Sequence, residues 1–169
     1  MKKLPMIALL VAPYIFILAV VIICVVEGGF TANALGYIGY GYLIMLIAVL
    51  IPNMVYAFSL KRNGYDHREL FFWNMTLKIA HIPIYILVFA VGVFMGIMIL
   101  GMMLIPFLVL FDYSLLLSSS MYGISGLFYV SKKGLLSKKH AILCGICQFV
   151  FVLDVVSAVY LFGKFRKAI

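Results

Sequence analysis

The stretch LKIAHIPIYILVFAVGVFMGIMILGMMLIPFLVLFDYSLLLSSSMYGISGLFYV, residues Leu77–Val130, decides the fold. A helix rises about 1.5 Å per residue, and the hydrocarbon core of a bilayer is about 30 Å thick, so one crossing needs about 20 mainly apolar residues. The stretch is too long for one crossing and about right for two. The break falls near Gly101 to Pro106, where Gly and Pro punctuate the run. It predicts spans at 77–101 and 106–130. Working outward, similar apolar runs occupy 4–26 and 37–60 on one side and 141–162 on the other. The expected fold class is all-α: a single polytopic transmembrane helical bundle of about five spans.

Composition supports this. Hydrophobic residues make up 67% of the 169 and charged residues 11%, against about 45–50% and about 25% in a soluble domain. A chain this short cannot hide that much apolar surface from water. Lipid is the missing solvent. The net charge of +8 does not point to nucleic acid, because the basic residues stand in short groups between apolar runs. Such groups orient spans and attract anionic lipid headgroups. The bilayer and its anionic headgroups are therefore the expected partners, with a second copy or a membrane partner protein as further ones. The first apolar run exceeds the 7–15 residues usual for a signal peptide core, so it reads as a span rather than a cleaved leader. Three cysteines, all inside apolar runs, do not make a disulfide scaffold.

The positive-inside rule orients the spans. Lys2 and Lys3 place the N-terminus in the cytoplasm. The connection from Glu27 to Gly36, without Lys or Arg, lies outside. The connection carrying Lys61, Arg62, Arg68 and Lys78 lies inside, as does the Lys132, Lys133, Lys138 and Lys139 segment. With five spans, Lys164, Arg166 and Lys167 fall outside and break the rule. A re-entrant final segment or a four-span count removes the conflict. In the inner connection, Asn63-Gly64 is a turn signal, and Asp66 with Glu69 has the form of a helix capping box.

Asp112 and Asp154 are the sharpest chemical feature, since an ionised carboxylate inside a span costs roughly 3 kcal/mol or more. Each is expected about 10–12 Å below the outer boundary, at one depth, with no Lys or Arg at that depth to neutralise it. Helical spacing places Asp112, Ser119, Gly123 and Gly126 on one stripe of the fourth span, and Cys147, Asp154, Ser157 and Ala158 on one of the fifth. Small residues let helices approach closely in lipid. Facing stripes would bring the aspartates together as an ion or proton site with Ser119 and Ser157, or as protonated groups that hold two helices together.

Other motifs are weaker. Cys144 and Cys147 form a C-x-x-C pair, the pattern of thiol-disulfide exchange when it opens a helix. Exchange needs a second cysteine pair and only Cys24 remains, and thiols near the cytoplasmic face stay reduced, so small residues packing between helices are the preferred reading. Gly92 and Gly96 form a helix-packing pattern on the third span. Pro52 followed by Asn53 either kinks a span or lines a polar pocket. His67, His81 and His140 lack the spacing of a zinc site and read as surface or interface residues. No catalytic motif, metal site or cofactor motif occurs.

The segments Leu115-Leu-Leu-Ser-Ser-Ser-Met-Tyr-Gly-Ile-Ser-Gly-Leu127 and Gln148-Phe-Val-Phe-Val-Leu-Asp-Val-Val-Ser-Ala158 resemble a group of small bacterial multi-pass membrane proteins of uncharacterised function. The resemblance implies a bacterial cytoplasmic membrane and supplies no activity. Three function classes follow from the residues. The sparse polar inventory favours a structural or accessory membrane component. The alternatives are a small proton- or cation-coupled carrier or channel using Asp112 and Asp154, and a membrane thiol-disulfide oxidoreductase using Cys144 and Cys147.

Overall fold

The computed structural model describes residues 3–59, 66–97 and 104–166. Lys2, Lys61, Arg62, the Asn63-Gly64 turn, Gly101 and Lys167 lie outside them. Among the described residues the regular elements are helices: α1 (Leu4–Val26), α2 (Ala32–Ser59), α3 (His67–Ile97), α4 (Ile105–Lys132), α5 (Lys138–Cys147) and α6 (Leu153–Arg166). The first four are each long and apolar enough to cross a membrane. At about 1.5 Å per residue, α5 and α6 are roughly 15 and 21 Å long, each short of the hydrocarbon thickness.

The chain forms two compact units, residues 1–53 and 54–169. In the first, α1 packs against α2, with the rings of Phe16 and Tyr42 6.2 Å apart. α2 starts at Ala32, ahead of the apolar run, because the Thr31 hydroxyl accepts a hydrogen bond from the Ala34 amide and caps it. A π-helical turn at Leu46–Leu50 precedes Pro52, which has no amide hydrogen to donate. The buried Asn53 side chain donates to the Val49 carbonyl at 2.9 Å. The amide that one of the two readings placed in a polar pocket bonds within its own helix.

In the second unit, α3 packs along α4 and α6, and α5 packs against α4 and α6. Two glycines set the approach of α4. A Cβ on Gly126 would lie 2.7 Å from the Phe71 ring, and one on Gly123 would lie 2.8 Å from the Asn74 amide nitrogen and 2.9 Å from the Gln148 side chain. The small-residue stripe of α4 therefore faces α3 as well as the chain after α5. Gly92 and Gly96 meet the Leu108 and Ile105 side chains at 3.8 Å, an ordinary contact. Asp66 caps α3 through the His67 amide at 2.8 Å, rather than through the Glu69 amide that a capping box would use. Burial raises the Asp66 carboxyl, but the His67 amide and ring and the Lys133 charge outweigh it and hold the group below its ordinary value.

The segment expected as one span over 141–162 is not one helix. It breaks between Cys147 and Leu153, where Val152 takes a positive φ of 72°. The run from Phe149 to Val152 is aromatic and β-branched, which weakens helix propagation. Past the break the chain doubles back. The Ser157 hydroxyl donates to the Cys144 carbonyl at 3.3 Å. Ala141 and Cys144 of α5 pack on the cluster containing Leu161 and Phe165 of α6. The same cluster holds Phe71 near the start of α3, and Leu127 and Val130 near the end of α4. Phe165 stacks on Phe71 at 5.3 Å and meets the His67 ring edge-on at 5.9 Å. So α5 and α6 form a helical hairpin whose two ends lie on the same side of this unit. The stripe predicted to run through Cys147, Asp154, Ser157 and Ala158 is divided, with Cys147 on α5 and the others on α6.

A left-handed backbone costs a residue with a Cβ about 1–2 kcal/mol, and glycine avoids that cost while adding chain entropy to the unfolded state. Val152→Gly should therefore raise stability by up to about 1 kcal/mol in thermal unfolding of the detergent-solubilised protein; a lowered midpoint would contradict this turn.

Candidate functional site: the hairpin turn and its buried ion pair

A helix broken where its backbone is buried, as at the 0% exposed Gln148, leaves carbonyls and amides without helical partners. Such buried groups are nearly always satisfied by other protein groups. At this turn the groups come from α3 and α4. The Ser120 hydroxyl of α4 donates to the Gln148 carbonyl at 2.6 Å. The Lys78 ammonium of α3 reaches the same carbonyl at 3.4 Å, the Ser120 oxygen at 3.0 Å and Asp154 Oδ2 at 2.9 Å. An ammonium has three donors, and all three have acceptors here. The Lys78 and Asp154 side chains are 0% and 1% exposed.

The charges also match the helix ends. Lys78 sits at the C-terminal end of α5, where unpaired carbonyls are negative, and Asp154 lies in the first turn of α6, where unpaired amides are positive. The pair thus ties α3 to both arms of the hairpin. Gln148 adds a bond within the hairpin, its side-chain amide donating to the Ser157 hydroxyl at 3.2 Å. Beside these groups, both polar atoms of the buried Asn74 side chain and Gln148 Oε1 have no hydrogen-bond partner.

Lys78 corrects two expectations. It is not a charge in the cytoplasmic connection, because it lies eleven positions into α3, which begins at His67. And a cation does stand beside Asp154. A sequence signal for it existed. Asn74, Lys78, His81 and Tyr85 recur at intervals of three and four residues and mark one polar stripe on α3. His67 and His81 are buried, the interface side of the expectation, and His140 is exposed.

The four residues expected to form an ion or proton site separate into two places. Asp154 and Ser157 lie in the hairpin bonds described above. Asp112 lies eight residues before Ser120 on α4, an axial offset of about 12 Å from the level of the ion pair. It lines a groove of about 260 Å³ with Val88, Gly92 and Leu108, and its Oδ1 atom has no hydrogen-bond partner. Tyr85 of α3 interacts electrostatically with both aspartates, and its ring packs edge-on against Phe151 of the hairpin turn at 5.5 Å. Ser119 donates to its own helix at the Leu116 carbonyl, as Ser114 and Ser118 do to Phe111 and Ser114. Of these α4 serines, Ser120 is the one whose hydroxyl reaches the hairpin.

Cys144 and Cys147 are free thiols at the distal end of α5. The helix start that stabilises a thiolate in exchange motifs is at Lys138, away from both. Among the described residues, no three His, Cys, Asp or Glu side chains converge to hold a metal ion.

The model of a family described as "Family of unknown function (DUF6652)" matches residues 2–167, and the chain belongs to that family. No curated protein and no solved structure matches it.

Removing one partner of a buried ion pair strands the other charge, at about 3–5 kcal/mol, while replacing both with apolar groups of similar size is often neutral. Lys78→Met and Asp154→Leu should each lower stability by about that much, and the double variant should recover most of the loss. Equilibrium unfolding in detergent checks the cycle; additive losses would mean that the pair does not fasten the hairpin.

Proposed function

We propose that this member of a family of unknown function is an integral membrane protein of the structural or accessory kind. In this reading it crosses the bilayer four times and then inserts α5 and α6 as a re-entrant hairpin. The observation that carries the reading is the position of Phe165, near the end of α6, against Phe71 and His67 at the start of α3. It supports a C-terminus on the same side as the Lys132–Lys139 segment. Four crossings with the N-terminus inside then leave every Lys and Arg other than Lys78 in the cytoplasm, including Lys164, Arg166 and Lys167. The charge conflict of a five-span count disappears.

The outward surface fits lipid. Val25, Val26, Phe89 and Ile97 are each more than 70% exposed, as are few large apolar side chains in a protein folded in water. The turn of the hairpin is likewise exposed and apolar, from Val150 to Leu153, with Gln148 and Asp154 buried beneath it. A turn of that character is suited to the hydrocarbon layer. Because every donor of Lys78 has an acceptor within the chain, the ion pair acts as a fastener and needs no substrate. The expected location is the cytoplasmic membrane.

A second reading rests on Asp112 and Tyr85. A buried carboxylate oxygen of Asp112 without a partner, with the Tyr85 hydroxyl also lacking a hydrogen-bond partner, is the arrangement a proton- or cation-coupled carrier would use.

Two measurements separate these readings. Single cysteines placed at Gly163 and Ser137 in a cysteine-free background should react with an impermeant maleimide from the cytoplasmic side only; labelling of Gly163→Cys from outside would return the chain to five crossings. In reconstituted vesicles, a pH gradient should drive no flux above that of empty vesicles. A flux abolished by Asp112→Asn would favour the carrier instead.

A further inference from the structure

The second unit carries a groove that neither the ion pair nor the hairpin turn uses. It lies between α4 and α5, has a volume of about 400 Å³, and is walled by Ile124, Leu127, Ile142, Ile146 and Phe149. At its Lys138 end it meets a second groove of about 480 Å³ that shares Phe128, Ser131 and Lys138. The second groove has different chemistry, with Ser125, Tyr129 and Lys132 in its lining. Together they have one apolar arm and one mixed, basic arm, in which Phe58 and Leu70 stand beside these polar groups. No carboxylate lines either groove, and the first turn of α5, which begins with Lys138 and Lys139, contains no acidic residue.

We infer that these joined grooves seat one anionic phospholipid, with an acyl chain along α5 and the phosphate between Lys132 and Lys138. The inference rests on the membrane reading above. Three observations select this occupant. The polarity changes once along the groove, as it does along a phospholipid. The charge is complementary, since two exposed lysines and the hydroxyl groups of Ser125, Tyr129 and Ser131 line the end where a phosphate would lie. The length also agrees. From Lys138 to Cys147 α5 advances about 14 Å, close to the roughly 15 Å of one hydrocarbon leaflet. The basic end stands at the cytoplasmic boundary of the proposed topology, where anionic headgroups concentrate.

The test is lipid retention. The full chain is reconstituted in vesicles of equal phosphatidylglycerol and phosphatidylcholine, extracted in mild detergent, and its bound lipid is counted by native mass spectrometry. The unaltered protein should retain phosphatidylglycerol in preference to phosphatidylcholine. Each lysine near the surface contributes roughly fivefold in affinity, so Lys132→Gln with Lys138→Gln should lower phosphatidylglycerol retention roughly 25-fold, while Lys132→Arg with Lys138→Arg keeps it. Gly145→Phe should fill the apolar arm and reduce retention of both lipids; a Cβ at Gly145 meets only Leu127, at 4.0 Å. Equal retention of the two lipids by the unaltered protein, or unchanged retention in the glutamine variant, overturns the lipid seat alone. A chain that does not enter the vesicles overturns the membrane reading and the seat with it.

Discussion

Breaking a helix where it is buried frees backbone groups that the protein itself must satisfy, and the second unit is organised around that constraint. The Gln148 carbonyl takes hydrogen bonds from Ser120 and Lys78, and Lys78 then needs a counter-charge, which Asp154 supplies from the next helix. Each group answers the demand of another. Lys78 at the end of α5 and Asp154 at the start of α6 also oppose the partial charges of those helix ends. A single ammonium thereby fixes both arms of the hairpin to α3. The glycine at 123 is part of the same solution, because a larger residue would collide with Asn74 and Gln148.

At its open end the hairpin is held by a different force. Phe71, Leu127, Val130, Leu136, Leu161 and Phe165 form an apolar cluster, with the stacked rings of Phe71 and Phe165 at its centre. Gly126 admits the Phe71 ring against α4. The polar fastening at the turn and the aromatic packing at the opening are separated by most of the length of α6. Two anchors of unlike chemistry fix both the depth of the hairpin and its direction. Neither would do so alone, since an ion pair sets one point and a ring stack has little preference for register.

The functional reading follows from which polar groups are satisfied. Each donor of the Lys78 ammonium has an acceptor within its own chain, which is what the structural reading proposed above rests on. Asp112 stands apart from the ion pair, on a groove shared with α3. The cysteines lie away from the helix end that would activate them. The grooves beside Lys132 and Lys138 are lined by no carboxylate, and the lipid seat proposed there rests on that chemistry.

The sequence by itself determined the helical class and the four long apolar helices, because apolar length and composition add up along the chain and need no partner. It also marked Asp154, Ser157, Gly123 and Gly126 as residues of a helix interface. It did not show Lys78 as a buried group, although the spacing of Asn74, Lys78, His81 and Tyr85 carried the hint. A lysine beside a basic connection reads as a topology charge until its counter-ion is located, and that counter-ion is 76 residues away. The break at Gln148 was hidden for the same reason. Residues 141–162 are apolar enough for a continuous span, and only side chains from α3 and α4 make an interrupted one stable. Local pattern fixes which segments are helical; the direction in which the last of them runs is set by contacts between residues far apart in the chain.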